Sequence, residues 1–190
     1  MDDTHSTPSY RLLGIFGVFF GTLTAICLPF ISPATRKYCI PYIPATNKQV
    51  NNLLKICKQI NSQHSNADGI KVCDLGSGDG RIILELAKCG IHGYGYELNP
   101  WLVIWSKFGA YYGGVKKVAQ FRRKNLWDVK LSRYDVIIVF GVAEMIPELE
   151  LKLNSELREG VSVISGRFPL KRNTNEILGD GAEKIWIYRY

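Results

Sequence analysis

Between Ile70 and Ala87 the chain passes from an apolar run into a glycine cluster and then into helical spacing. The order is Ile70-Lys71-Val72-Cys73-Asp74-Leu75, then Gly76-Ser77-Gly78-Asp79-Gly80, then Ile82, Ile83, Leu86 and Ala87. A short apolar run that stops at glycines predicts a strand feeding through a tight turn into a helix, with Gly90 as its C-cap. A strand joined to a helix in this way starts a β-α-β unit, which can close only into a sheet covered by helices.

The alternation continues. His92 to Leu98 reads as a second strand, and Trp101, Trp105, Phe108 and Tyr112 then recur at helical spacing before Gly113 and Gly114. We read Trp101 and Trp105 as core residues of that helix rather than as a substrate cage. Ala119 to Lys124 can form a third strand, and Asp135 to Phe140, holding the run VIIV, a fourth that suits burial on both faces. Ile146, Leu149, Leu153 and Leu157 trace a helix ending near Gly160, Val161 to Ser165 is a further strand, and Lys184 to Tyr190 a last one. Val50, Leu53, Leu54, Cys57 and Ile60 place an amphipathic helix ahead of all of these. Six strands are readable, and Phe168 to Gly181 carries no clear period. The fold class is therefore α/β: a Rossmann-like, mostly parallel central sheet with helices on both faces. A chain of 190 residues with 46% hydrophobic and 22% charged residues has room for one such domain and is not disordered.

Ahead of the domain, Leu12 to Ile31 contains no charge. As a helix it would be about 30 Å long, the thickness of a bilayer core. A core helix would show a polar face, and a signal peptide would have a basic start, whereas Asp2 and Asp3 precede this segment. The segment is expected to be an N-terminal transmembrane helix. The division that follows is a tail over 1–11, the anchor over 12–31, a linker over 32–45 broken by Pro33, Pro41 and Pro44, and a catalytic domain over 46–190. Gly17 and Gly21 form a G-x-x-x-G pair, which is common by chance in apolar segments. Arg36, Lys37 and Lys48 follow the anchor against Arg11 before it, which places the domain on the cytosolic or matrix side. The net charge of +7 permits an anionic surface without requiring nucleic acid. Five cysteines with no C-x-x-C pair argue against a disulfide framework or a structural zinc site.

The glycine spacing is G-x-G-x-G, with Asp74 just ahead of it. Acids around the loop would repel a pyrophosphate and attract the cationic end of an amino-acid-bearing cofactor. That points away from a dinucleotide and toward S-adenosyl-L-methionine. Glu97, at the end of the second strand, can accept from both ribose hydroxyls. Asn125 and Leu126, after the third, can bind an adenine edge and pack its face. Each is weak alone; together they lie at the C-terminal ends of successive strands, where open α/β sheets bind ligands.

The runs PYIPAT (Pro41 to Thr46), DLGSGDGRI (Asp74 to Ile82), GYELNPWLV (Gly95 to Val103), NLWDV (Asn125 to Val129) and FGV (Phe140 to Val142) resemble one family within the class I S-adenosylmethionine-dependent methyltransferases. That family is the membrane-anchored mitochondrial protein-lysine N-methyltransferases, which modify the ATP synthase c subunit or the adenine nucleotide translocase. The resemblance runs over nearly the whole chain and is slightly closer to the c-subunit branch from Phe140 to Tyr190. It implies that Asp74, Gly76 and Gly78 line the methionine part of the cofactor and that Glu97 holds the ribose. The candidate cofactor set is Asp74, Gly76, Ser77, Gly78, Glu97, Asn99, Asn125, Leu126 and Gly141, with Glu144 and Tyr42 as candidate catalytic residues. The family often has an acid where this chain has Asn125, which predicts altered affinity. The resemblance also implies an integral membrane protein substrate, no nucleic-acid partner and a place on the inner membrane facing the matrix. The N-terminus lacks the Arg-rich, acid-poor character of a mitochondrial presequence. Phe140-Gly141-Val142-Ala143 is not the N/D-P-P-Y/F turn of base methyltransferases. A small-molecule methyltransferase and a non-catalytic membrane-tethered module stay open as alternatives.

Overall fold

A computed structural model describes residues 10–31, 43–64 and 68–190. Among these residues, five α-helices and seven strands follow in the order α1 (Tyr10–Ile31), α2 (Asn47–Gln63), β1 (Lys71–Leu75), α3 (Arg81–Lys88), β2 (His92–Glu97), α4 (Pro100–Tyr112), β3 (Ala119–Arg123), β4 (Val136–Phe140), α5 (Ile146–Glu156), β5 (Ser162–Gly166), β6 (Glu176–Leu178) and β7 (Ile185–Arg189). The strands form one sheet in the order β3-β2-β1-β4-β5-β7-β6. β1 lies parallel to both β2 and β4, with β3 and β5 continuing the parallel set outward. β7 runs antiparallel to β5 and to β6. The chain builds outward from β1 through β3, then returns to place β4 on the other side of β1. The loops after β1 and β4 therefore diverge from one point, the crevice where open α/β sheets bind ligands.

Alternation along the central strands splits the core in two. Val72, Val136, Ile138 and Ile164 face one layer with Leu53, Ile83, Leu86 and Val103 from α2, α3 and α4. Cys73, Ile137, Val139 and Val163 face the other, with Leu149 and Leu153 of α5 and the buried Tyr134 and Tyr188. Helices thus cover both faces, as the buried run VIIV requires. At the start of α2, Thr46 accepts from the backbone N–H of Gln49, and the Gln49 side chain accepts from that of Thr46, a reciprocal cap. α4 begins on Asn99, whose side chain accepts from Trp101 N, with Pro100 in the first turn.

Two expectations change. The aromatic face of α4 is not core: Trp105 is 69% exposed, and Trp101 and Phe108 are also at the surface. The buried side is Val103, Ser106 and Ala110, with Gly109 close against Leu84. Small residues let α4 approach the sheet and α3 closely, so the larger aromatics turn outward. The second concerns α1, which forms over the expected segment. Among the described residues, however, no helix is long and apolar enough to cross a membrane. The linker residues 32–42 lie outside the described residues.

β6 completes the sheet where the sequence carries no clear period. It is three residues long, exposed at Glu176 and Ile177, and followed by Gly179 in the left-handed region. Thr174 helps hold it at the sheet edge, its single hydroxyl proton shared between the carbonyls of Glu176 and Ile187.

Candidate functional site

The loop after β1 is folded against the end of β2 by main-chain hydrogen bonds. Gly76 N and Ser77 N both donate to the Tyr96 carbonyl, at 2.8 and 3.0 Å. Gly78 N donates to Glu97 Oε2 at 3.1 Å, and the buried hydroxyl of Ser106 on α4 donates to the Gly78 carbonyl at 3.1 Å. Gly80 then turns the chain into α3 with φ at +81°. A Cβ there would lie 2.7 Å from the Phe121 ring and 2.8 Å from Ser106 Cβ. Gly80→Ala combines a left-handed φ with that clash. It is expected to cost about 3 kcal/mol and to lower the Tm by about 10 °C in a thermal melt followed by circular dichroism. Gly76 is different: it is exposed, and a Cβ on it would meet nothing within 4 Å among the described residues. Its side of the loop is open for a ligand to lie against backbone.

Asp74 sits at the bottom of this opening, 2% exposed, opposite Gly95 on β2 and Ile138 on β4. Burial, reinforced by repulsion from Glu97 and then Asp79, pushes its carboxyl up to about 8. Among the described residues, Asp74 Oδ2 and Ser77 Oγ are buried with no hydrogen-bond partner. A buried acceptor without a partner is costly unless a donor arrives from outside. Three acids near one another select a cationic donor and disfavour phosphate.

Glu97 has more work than the sequence indicates. Its Oε1 accepts from Leu98 N at 2.7 Å and Asn99 N at 2.8 Å, while Oε2 accepts from Gly78 N. A carboxylate offers about four lone-pair directions, so one remains, on Oε2. The side chain is therefore both the brace between loop and strand and a single acceptor for an incoming hydroxyl, not the free two-oxygen acceptor expected. Lys124 N donates to the Glu97 carbonyl at 3.0 Å, which brings the β3 end to the same place. Just beyond it Asn125 caps a short 3-10 turn over Leu126–Asp128, accepting from Trp127 N. Leu126 is buried. Asn99 is buried and spends Oδ1 on the α4 cap.

Gly141 follows β4, whose Val139 pairs with Leu75, so it lies at the same sheet edge. A Cβ on it would sit 2.6 Å from Met145 Sδ. Glu144 is exposed on the 3-10 turn Ala143–Met145. Tyr42 lies outside the described residues. The loop, Glu97, the Asn125-Leu126 pair and Gly141 thus gather at one edge, and Glu144 reaches solvent beyond Gly141.

Sequence reasoning missed Ser106, Asp79 and Arg81. Arg81 clasps Asp79 with Nε at 3.1 and 3.0 Å and Nη2 at 2.7 Å, and its Nη1 donates to the Ala45 carbonyl at 3.0 Å. Arg167, with φ at +72°, donates to the Ile43 carbonyl. Together they hold residues 43–45 against the site edge. One signal was present for Arg81. A cation in the first helical turn opposes the helix dipole, so a nearby acid is expected to hold it.

Comparison with known proteins gives a consistent set of relatives. The model of the ANTKMT methyltransferase domain family matches residues 74–176. The ATP synthase c-subunit lysine N-methyltransferase of Xenopus laevis is 44% identical over 189 residues, covering 96% of this chain and 80% of that one. Adenine nucleotide translocase lysine N-methyltransferase of Mus musculus is 38% identical, covering 78% of this chain and 62% of that one. Among solved structures, an RNA methyltransferase from Salinibacter ruber in complex with S-adenosyl-L-homocysteine superposes with a TM-score of 0.70 at 23% identity, covering 77% of this chain and 93% of that one. At that identity the likeness speaks for the fold alone.

Proposed function

The chain belongs to the ANTKMT methyltransferase domain family, and from that premise we propose that it is an S-adenosyl-L-methionine-dependent protein-lysine N-methyltransferase. Its substrate on this reading is the ATP synthase c subunit, with the adenine nucleotide translocase next. The observation that carries the reading in this molecule is the buried Asp74 Oδ2, without a partner among the described residues, beneath an open glycine loop. Those residues fit a cofactor with a cationic amino-acid end.

When bound, the cofactor supplies a methyl group on a sulfonium, electrophilic enough that the protein has mainly to position the reactants. Asp74 would hold the amino group, and the backbone from Gly76 to Gly78 would lie against the methionine part. Glu97 Oε2 would accept one ribose hydroxyl. Asn125 Oδ1 has a lone pair left beyond its bond to Trp127 N and can accept from the adenine amino group, while Leu126 packs the ring. The target lysine must arrive neutral. Loss of water around the ammonium as it docks beside Gly141 would lower its pKa, and the exposed Glu144 would pass the released proton to solvent.

We further propose that α1 attaches the enzyme to the inner mitochondrial membrane, with the domain in the matrix. Leu13, Ile15, Phe16, Val18, Phe19 and Phe20 of α1 are all more than half exposed. A helix that is apolar on every side needs an apolar surrounding. Attachment beside an integral membrane substrate raises effective concentration without a new contact.

The test is incubation of the full chain, and of its Glu97→Ala variant, with methyl-labelled S-adenosyl-L-methionine and mitochondrial membranes lacking this activity. The expected result is label on a lysine of a small membrane protein, named by mass spectrometry, with the intact chain only. Label in a small molecule would replace the substrate class, and cofactor binding without any transfer would replace catalysis with a tethered binding module.

A further inference from the structure

The outer face of α4 has no role in the chemistry above, yet it presents the most unusual surface of the domain. Trp101, Ile104, Trp105, Phe108, Tyr111 and Tyr112 fall at i, i+3, i+4, i+7, i+10 and i+11, a single stripe along the helix. All six are exposed, Trp105 at 69%, Tyr111 at 65% and Tyr112 at 80%. The opposite face, Val103, Ser106 and Ala110, is packed against the sheet layer. A contiguous apolar stripe of this kind marks an interaction surface.

Three observations identify its occupant. The side chains are chiefly Trp and Tyr, whose rings are apolar with a polar tip and concentrate where a bilayer meets water. From Leu98 to Trp127 the chain has no acidic residue, while Lys107, Lys116, Lys117, Arg122, Arg123 and Lys124 fall in the same stretch. Lys107, Lys116 and Lys117 are exposed, with Lys116 Nζ 5.8 Å from the centre of the Tyr111 ring. Aromatic side chains flanked by cations match the level of anionic headgroups. Finally, α1 comes against α4, so the helix that carries the stripe is close to the proposed attachment helix. A second copy would set two equally basic faces against each other, because a two-fold contact pairs like with like.

We propose that the Trp101–Tyr112 face of α4 is a membrane-interface platform that rests on anionic lipid headgroups. It would fix the orientation of the domain relative to the bilayer rather than leave it swinging on α1. This deepens the membrane attachment proposed above and rests on it. The platform would hold the sheet edge at a constant height over the lipid surface, where a lysine of an integral membrane protein emerges.

The experiment is tryptophan quenching in the full chain reconstituted into vesicles of phosphatidylcholine and phosphatidylglycerol, with plain or brominated acyl chains. Two of the four tryptophans lie on the α4 stripe, and Trp127 and Trp186 belong to the folded domain. Brominated lipid is expected to remove about a third to half of the emission. Trp101→Phe/Trp105→Phe should lose nearly all of that quenching while keeping methyl transfer in detergent. Replacing phosphatidylglycerol by phosphatidylcholine should reduce it several-fold. A protein that floats with the vesicles but shows no quenching, or quenching that survives the double substitution, overturns the platform and leaves α1 attachment standing. A protein that does not float overturns both. Quenching of the same tryptophans by single-stranded RNA, in place of lipid, would reassign the face to nucleic acid and overturn the platform.

Discussion

Glu97→Ala is expected to abolish detectable methyl transfer and to lower the Tm by about 10 °C, two effects with one cause. The carboxylate accepts from Gly78 N, Leu98 N and Asn99 N. Removing it leaves three backbone donors to find water or go unpaired, at a total cost of about 3 kcal/mol. It also frees the glycine loop from the end of β2, apart from the two bonds to the Tyr96 carbonyl. Binding of S-adenosyl-L-homocysteine should weaken about a hundredfold or more, since the ribose acceptor and the shape of the cradle go together. Glu97→Gln separates the two roles. Its amide oxygen can still accept from Leu98 N and Asn99 N, but its amide nitrogen would face Gly78 N, donor against donor. Thermal stability should recover by about half, with binding recovering less. A calorimetric titration beside a thermal melt of the three proteins measures both. Full-strength binding by Glu97→Ala would remove Glu97 from the site.

The order of elements, the loop and the convergence of Glu97 with Asn125 were readable because each depends on local pattern. A strand buried on both faces is a continuous apolar run, and a loop that meets a ligand through its backbone requires glycine. What could not be read depends on what the backbone does after folding. The double duty of Glu97 is invisible in sequence because its partners are main-chain N–H groups, which every residue but proline carries. The direction of α4 was misread because helical spacing of Trp101, Trp105, Phe108 and Tyr112 reports an apolar face without saying whether it faces the core. The small residues decide it: Ser106, Gly109 and Ala110 permit close approach, and a Cβ on Gly109 would already lie 2.8 Å from Leu84. Hydropathy likewise predicted a transmembrane helix over α1, whereas no helix among the described residues is long and apolar enough to cross a membrane. β6 escaped because a three-residue edge strand shows no period, its pairing being set by β7.

Asp74→Asn is expected to make the free protein more stable and the enzyme inactive. In the folded chain the Asp74 carboxyl titrates near 8 because it is buried first and repelled second by Glu97 and Asp79; in the unfolded chain it titrates near 3.8. Between those values the folded state keeps a proton that the unfolded state has lost. Stability therefore falls as pH rises through that window, and the loss is complete above about 8. At pH 7 the cost is on the order of 4 kcal/mol, and an amide that never ionises does not incur it. The melting temperatures of wild type and Asp74→Asn should thus coincide near pH 4 and diverge as pH rises, with the variant higher. Ligand binding should show the opposite sign. A cationic amino group stabilises the Asp74 carboxylate, so at neutral pH the site must release a proton as the ligand enters. Affinity for S-adenosyl-L-homocysteine should then rise up to about tenfold per pH unit below pH 8 for as long as the ligand amine stays protonated. Calorimetry in buffers of different ionisation enthalpy should find up to one proton released per ligand with wild type and almost none with Asp74→Asn, whose binding should be weaker by about two to three powers of ten. If wild type takes up no ligand more tightly at pH 8 than at pH 6, and Asp74→Asn melts below it at every pH, then Asp74 is a structural residue and the cation is held elsewhere. On this reading the free chain bears a cost at Asp74 that a cationic ligand removes, so a group unfavourable to folding is retained for binding.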